Sequence, residues 1–238
     1  MKTVSDQAES DVSPVNQNIN RIFSGIAERY DLFKTLLSGG KERIWKASLF
    51  QQFVPSLPQQ WLDIATGTGD FFLLAPHDCR KMVGFDQNEK MLQIAKNRNT
   101  GKNIEWISGD LNDLPFDSNS FDLITVGYGL RYANTIEHFA DRCFHLLRSG
   151  GKFFAFDVGL PAKVLRPPWF AYLFLACTLY GTVLNGKPTI YWHLWQSLRN
   201  FPGQMEVSML FRKVGFSTVI YKNEMLGTMF GLYAEKSQ

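Results

Sequence analysis

The stretch DIATGTGD, Asp63–Asp70, places two glycines one residue apart between two apolar runs, WLDIA and FFLLA. Glycines at that spacing let a chain turn sharply and bring its backbone close to a ligand. A phosphate cradle of the Walker type needs a Gly-Lys-Ser/Thr ending, and none follows here. A dinucleotide fingerprint needs a third small residue so that the next helix can pack tightly, and Phe72 holds that position. A glycine turn that binds nothing gives the same short pattern. What separates these readings lies further along the chain.

Outward from the motif, strand and helix patterns alternate. WLDIA, MVGFD, IEWIS, FDLITV and KFFAFDV read as buried strands, the last entered from an SGG turn at Ser149–Gly151. FFLLA reads as the start of a helix, NEKMLQIAKNR as a helix with Met91, Leu92 and Ala95 on one face, and Ile136–Leu147 as another. EVSMLFRKVGF reads as a last helix, with STVIYKNE and GTMFGLYAEK as a closing pair of strands. Upstream, Ile19, Ile22, Phe23 and Ile26 recur at helical spacing, continued by Tyr30 and Phe33. A second helix covers Glu42–Phe53 and is ended by Pro55 and Pro58. This order predicts an α/β fold, a doubly wound, mostly parallel, Rossmann-like sheet with N-terminal helices. Ligands in such sheets sit beyond the C-terminal strand ends at the switch point. Acidic residues stand at those ends. Asp86 closes MVGFD, where a carboxylate can accept bonds from both hydroxyls of a ribose. Asp110 and Leu111 follow IEWIS, where an acid can meet an adenine amine beside an apolar neighbour. Three successive strand ends then describe a nucleoside with no pyrophosphate, and S-adenosylmethionine fits that description.

The 238 residues, 45% hydrophobic and 14% aromatic, are enough for a sizeable core in a single domain at 19–238. The polar residues 1–18 have no periodicity and read as a flexible N-terminus. A net charge of +3 without a dense Lys/Arg block gives no reason to expect nucleic acid. Cys79, Cys143 and Cys177 suit buried thiols in a reducing compartment, and the four histidines are too scattered for a metal site. The N-terminus lacks the apolar run of a secretory signal, so the plain expectation is a cytoplasmic protein. Pro167–Gly186, PPWFAYLFLACTLYGTVLNG, carries no charge over a length that approaches a membrane span. Its proline pair, threonines and glycines, and its place between globular stretches, argue for a lid inserted at about 160–200 instead. Such a lid would be apolar inside and touch a bilayer outside, with a core or dimer-interface helix as the other reading.

From ERYDLF to FGLYAEK the chain resembles the UbiE-type ubiquinone/menaquinone biosynthesis C-methyltransferases. The resemblance rests on IAERYD (Ile26–Asp31), DIATGTGD, LPFDSNSFDLITVGYGLR (Leu114–Arg131), LLRSGGKFFAFD (Leu146–Asp157), LWQSLRNFPGQ (Leu194–Gln204) and a terminal FRKVGF. It implies a class I methyltransferase fold, S-adenosylmethionine as donor and a small aromatic or quinol acceptor. By the same resemblance Thr68, Asp86, Asp110 and Leu111 bind the donor, with Gly67 and Gly69 as close-approach backbone. Asp63, Gln87, Gly127 and Tyr30 complete the candidate donor set. Differences from the family pattern fall on the acceptor side. Lys34 and Glu42 stand for an Asn and a His, Tyr132 for the Asn after Gly-Leu-Arg, and Gly127 for a frequent Ser. Methylation of a ring carbon needs a deprotonated neighbouring hydroxyl. Arg131 is the candidate to hold that oxygen, Asp157 or a water to take the proton, and Tyr132 and Tyr30 to shape the ring site. An O- or N-methyltransferase of another small aromatic, a cyclase or isomerase on the same fold, and a non-enzymatic quinone-binding scaffold are the other readings. A nucleic-acid methyltransferase is disfavoured, because VGYGLRY replaces an Asn/Asp-Pro-Pro-aromatic motif. Peripheral membrane contact and a homodimer are compatible with the lid.

Overall fold

A computed structural model of the chain describes residues 14–54, 58–75 and 79–238, with side chains from residue 19 onward. Most of the expected 1–18 terminus, and Pro55, lie outside the described residues. The amphipathic run upstream of the glycines forms α1 (Pro14–Ile26) and α2 (Tyr30–Leu37), divided by a 3₁₀ turn at Ala27–Arg29. The single expected helix is therefore broken. Helix α3 follows at Glu42–Phe53.

The alternating region supplies β1 (Gln60–Ile64), β2 (Lys81–Asp86), α4 (Glu89–Arg98), β3 (Ile104–Ser108), β4 (Phe121–Gly127), α5 (Ile136–Leu146) and β5 (Leu147–Val158). After β5 come α6 (Arg166–Asn185), α7 (Trp192–Arg199), α8 (Gln204–Val214), β6 (Thr218–Glu224) and β7 (Met229–Glu235). The sheet runs 3-2-1-4-5-7-6, with β7 antiparallel to both β5 and β6. Two local expectations differ. FFLLA makes only a 3₁₀ turn at Phe71–Leu74, because Phe71 and Phe72 are drawn inward and Ala75, next to Pro76, is extended as a following proline requires. The SGG turn is part of β5, whose register against β4 shifts between Phe121 and Leu123, with Gly150 at φ +71°.

Adjacent phenylalanines on β5 show how the sheet is covered on both sides. Side chains alternate along a strand. Phe154 packs with Phe50, Phe53 and Phe71 beneath α3, while Phe153 meets Phe139, Phe211 and Phe216 from α5, α8 and the turn after it. Cys79, Cys143 and Cys177 are buried and form no disulfide among the described residues.

Helix α6 begins with Pro167 and Pro168 in its first turn and ends at Gly186, which has φ +64°. It buries Leu173, Ala176, Cys177 and Gly181. Phe174 packs on Trp192 and Trp195 of α7, and Trp192 Nε1 donates to Thr178 Oγ1. The helix is long and apolar enough to cross a membrane, yet one face is built into the domain.

Candidate active site

A cavity of about 800 Å³ opens at the C-terminal ends of the parallel strands, where β1 lies between β2 and β4 and the strand order reverses. Tyr30, Asp63, Gly67, Thr68, Asp86, Gln87, Leu111 and Gly127 line it. The two motif glycines divide their work. Gly67 (φ +54°) faces open space, since a Cβ there would meet only the Ala65 carbonyl, at 4.0 Å. At Gly69 (φ +76°) a Cβ would lie 2.6 Å from Asn99 Nδ2 and 3.1 Å from Ala95 Cβ. Gly69 therefore lets α4 pack on the turn and does not serve close approach to a ligand. Phe72, the bulky third position, is fully buried against Trp61 and Trp106, and Gly84 leaves the room these rings need.

Asp86 accepts backbone bonds from Gly67 and Asn88, each 2.8 Å, and burial pushes its pKa up to about 6. Asp63 is buried to the same end: Thr66 and Thr125 donate to its two oxygens at 2.6 Å, and burial raises it to about 7. Asp110 differs from expectation. Its neighbours Gly109 and Leu111 reach the cavity, whereas its own Oδ1 accepts from the backbone and side chain of Asn112. The Thr68 hydroxyl is likewise turned to Asp31.

Under the turn lies a charge network that the sequence reading did not assemble. Asp70 Oδ2 takes Lys34 (2.5 Å) and Lys46 (3.1 Å), and Arg98 pairs with Asp70 Oδ1 (2.9 Å) and with Asp31 (2.5 Å). Lys34 also meets Asp31, and Lys46 meets Glu42. Burial alone would raise Asp70, but Lys34 and Lys46 outweigh it and hold the carboxyl well below its usual range. Lys34 and Glu42, two of the residues that depart from the family pattern, are thus linked through Asp70 and Lys46. The Glu42–Lys46 pair at i,i+4 was the available signal.

A second cavity, about 740 Å³, adjoins the first and shares Phe23, Tyr30, Lys34, Tyr128 and Tyr132 with it. Its far side is apolar: Phe33, Trp169, Leu173 and Leu194 contribute, with Met225 and Met229 from the β6–β7 hairpin. Arg131 reaches this wall. Its Nε donates to Asp157 Oδ1 (2.9 Å) and its Nη1 to Ser197 Oγ (3.0 Å). Burial opposes the Arg131 charge, but Asp157 more than compensates and raises its pKa above the ordinary value. Asp157 does not suit the role of base. It is fully buried, lines neither cavity, and its oxygens accept from Arg131, Val158 N and Leu130 N. Its carboxylate is paired with the Arg131 guanidinium. Burial also raises Tyr30 and Tyr132, despite Lys34 and Arg131 respectively, so both phenols stay protonated.

The sheet order, with its reversed seventh strand and nucleoside-sized cavity at the switch point, defines a class I S-adenosylmethionine-dependent methyltransferase. The open backbone at Gly67 and the inward carboxylate of Asp86 suit a ribose, and Leu111 gives an apolar flank for a base. The chain belongs to the ubiE/COQ5 methyltransferase family, whose model matches residues 11–235. It is 30% identical to the ubiquinone/menaquinone biosynthesis C-methyltransferase UbiE of Cereibacter sphaeroides, over 88% of this chain and 86% of the relative. A mitochondrial 2-methoxy-6-polyprenyl-1,4-benzoquinol methylase of Caenorhabditis elegans is 30% identical, over 93% of this chain and 79% of that protein. Among solved structures, a methyltransferase from Thermotoga maritima described as a possible histamine N-methyltransferase superposes with a TM-score of 0.66. It shares 16% identity, over 91% of this chain and 99% of that one, and so supports the fold alone.

Proposed function

We propose that the protein C-methylates a prenylated benzoquinol or naphthoquinol in quinone biosynthesis. The observation that carries this reading is the apolar, aromatic second cavity joined to the donor cavity through the Tyr30–Lys34–Tyr128–Tyr132 wall. The names of the relatives point to the same acceptor class. Donor-side roles go to Asp86 for the ribose hydroxyls, Gly67 for close backbone approach and Leu111 for the base. Asp63, Thr68, Gly69, Gln87, Asp110 and Gly127 shape that pocket from behind or at its rim. When bound, S-adenosylmethionine supplies an electrophilic methyl group on sulfur. A single water takes the proton of the acceptor hydroxyl and Arg131 holds the resulting oxyanion, since guanidinium keeps its own proton and favours the anion; the ring-carbon proton lost after methyl transfer then restores the hydroxyl. Tyr30 and Tyr132 donate hydrogen bonds to the ring oxygens. Burial of the shared wall keeps water out.

The lid supports an acceptor with a long apolar tail. Leu175, Leu179 and Val183 recur along the outer face of α6, and Leu175 and Val183 are 66% and 69% exposed. Val164 and Leu226 are 81% and 82% exposed, on the approach to α6 and at the tip of the hairpin that supplies Met225 to the cavity. This surface rests on a membrane, so that the tail stays in lipid while the ring enters. In this reading the protein works at the cytoplasmic face of a membrane. Mass spectrometry of lipid quinones after gene deletion tests the function, and accumulation of a demethylated precursor is the expected result. An unchanged quinone profile refutes it. Flotation with quinol-containing liposomes tests the lid: wild type floats, and a variant with Leu175 and Leu179 replaced by Glu stays behind.

A further inference from the structure

The second cavity contains one side chain whose hydrogen-bonding is one-sided. His193 Nδ1 lies 3.0 Å from the Ile190 carbonyl, which can only accept, so in the neutral ring Nδ1 carries the hydrogen. Nε2 then holds a lone pair, and it makes no hydrogen bond among the described residues. The ring lines the cavity and is held edge-on by Phe23, which also touches Tyr30 and Tyr132. Lys34 and Arg131, the charged groups in the same wall, can only donate. Tyrosine, serine and threonine hydroxyls can do both. His193 Nε2 is therefore a side-chain atom of this wall that can only accept.

Its place relative to Arg131 is set by α7. Ser197, which holds Arg131 Nη1, and His193 are four residues apart on that helix and share a face. One turn separates them, about 5–6 Å. Both the imidazole and the Ser197-held guanidinium therefore border the same cavity.

We propose that His193 Nε2 accepts the hydrogen bond of the acceptor's second hydroxyl and so makes the enzyme selective for the reduced, dihydroxy form of its substrate over the quinone. The inference rests on the quinol reading above and deepens it. A quinol hydroxyl donates to Nε2 while the other oxygen meets Arg131. A quinone has two carbonyls and no donor, so the imidazole lone pair is left facing a carbonyl oxygen without a hydrogen. Burial pushes His193 down to about 4; the Ile190 carbonyl opposes that drop and Arg131 adds to it. The ring is therefore a neutral acceptor throughout the working range. His193 is a specificity-determining residue, and no proton transfer is assigned to it.

The test measures binding to the S-adenosylhomocysteine-loaded protein under anaerobic conditions, by quenching of tryptophan fluorescence. The probes are a short-chain 2-prenyl-1,4-naphthoquinol and the corresponding naphthoquinone. Wild type is expected to favour the quinol by ~10²-fold or more, as sites built for a hydroxyl do. His193→Phe removes the acceptor and brings the ratio towards one. His193→Gln retains quinol binding through its carbonyl and admits the quinone through its amide donor. The proposal is overturned if His193→Phe keeps the wild-type ratio, or if both variants lose both probes in parallel, as a purely structural role would cause. Methylation of the quinol by wild type is measured alongside. Its failure refutes the quinol reading and this inference with it, whereas an unchanged ratio in an active His193→Phe enzyme refutes only the inference.

Discussion

If Asp86 binds the ribose hydroxyls as an ionised carboxylate, donor affinity must depend on pH in a direction that the structure sets. Burial raises the Asp86 pKa to about 6, against the backbone bonds from Asn88 and Gly67 that favour the charge. In the unfolded chain the group titrates near 3.9. A carboxylate raised on folding contributes its full share of stability below the unfolded value and loses it as pH climbs towards 6. The ligand-free protein thus bears the cost of a desolvated charge at neutral pH, and a diol that donates two hydrogen bonds offsets it. Binding should draw on the ionised form. From pH 8 to pH 5 the ionised fraction falls to about a tenth, so Kd for S-adenosylhomocysteine should rise by ~10-fold, or ~1.4 kcal/mol. Asp63, raised to about 7, lines the same cavity, but both its oxygens are engaged by Thr66 and Thr125. Asp86→Asn separates the two. It keeps one acceptor atom, places an amide donor opposite a backbone N–H, and should weaken binding by ~1–3 kcal/mol while flattening the profile. Isothermal titration calorimetry from pH 5 to 8 is the assay. A wild-type Kd that does not change with pH, or an equal slope in Asp86→Asn, refutes the argument.

The two glycines should respond differently to alanine. Gly67→Ala loses ~1–2 kcal/mol of stability for its left-handed backbone and also weakens donor binding, whereas Gly69→Ala is further crowded by Asn99 and Ala95 and fails chiefly in thermal unfolding. An inverted order would show that the division of roles is wrong. Asp70→Asn leaves Lys34, Lys46 and Arg98 with only Asp31 and Glu42 to share and should cost ~1–3 kcal/mol in urea unfolding at pH 7. Because the folded pKa of Asp70 is depressed, its contribution is complete above about pH 4 and fades below it, so variant and wild type should converge in acid. Asp157→Asn should lower stability by a similar ~3–5 kcal/mol and slow turnover without changing the pH profile, since it leaves Arg131 unpaired. Loss of all turnover with unaltered stability would return Asp157 to the role of base.

Strand ends were legible in the sequence because they are local. The period of apolar residues placed β1 to β5 and α4, and the acids at strand ends led to the donor cavity through Asp86. What the sequence did not yield depends on residues brought together from distant segments. Asp86 ends β2 and Asp157 is next to last in β5, but only the fold shows that Arg131, Val158 N and Leu130 N occupy Asp157 while Asp86 faces a cavity. Gly67 and Gly69 differ by what packs behind them, namely α4, some thirty residues away. His193 was set aside for want of neighbouring histidines, a criterion suited to metals. Its chemistry comes from Ile190, Phe23 and Arg131, of which only Ile190 is near in sequence. The residues that depart from the family pattern sit at the same junction. Lys34 lines both cavities and is tied to Glu42 through Asp70 and Lys46, and Tyr132 borders both as well. A change at Lys34 therefore reaches the donor turn through Asp31 and Thr68, and the acceptor wall through Tyr30 and Tyr128. The network is charge-matched, with three cations against three carboxylates, so a change of one charge leaves it unbalanced in a largely buried place.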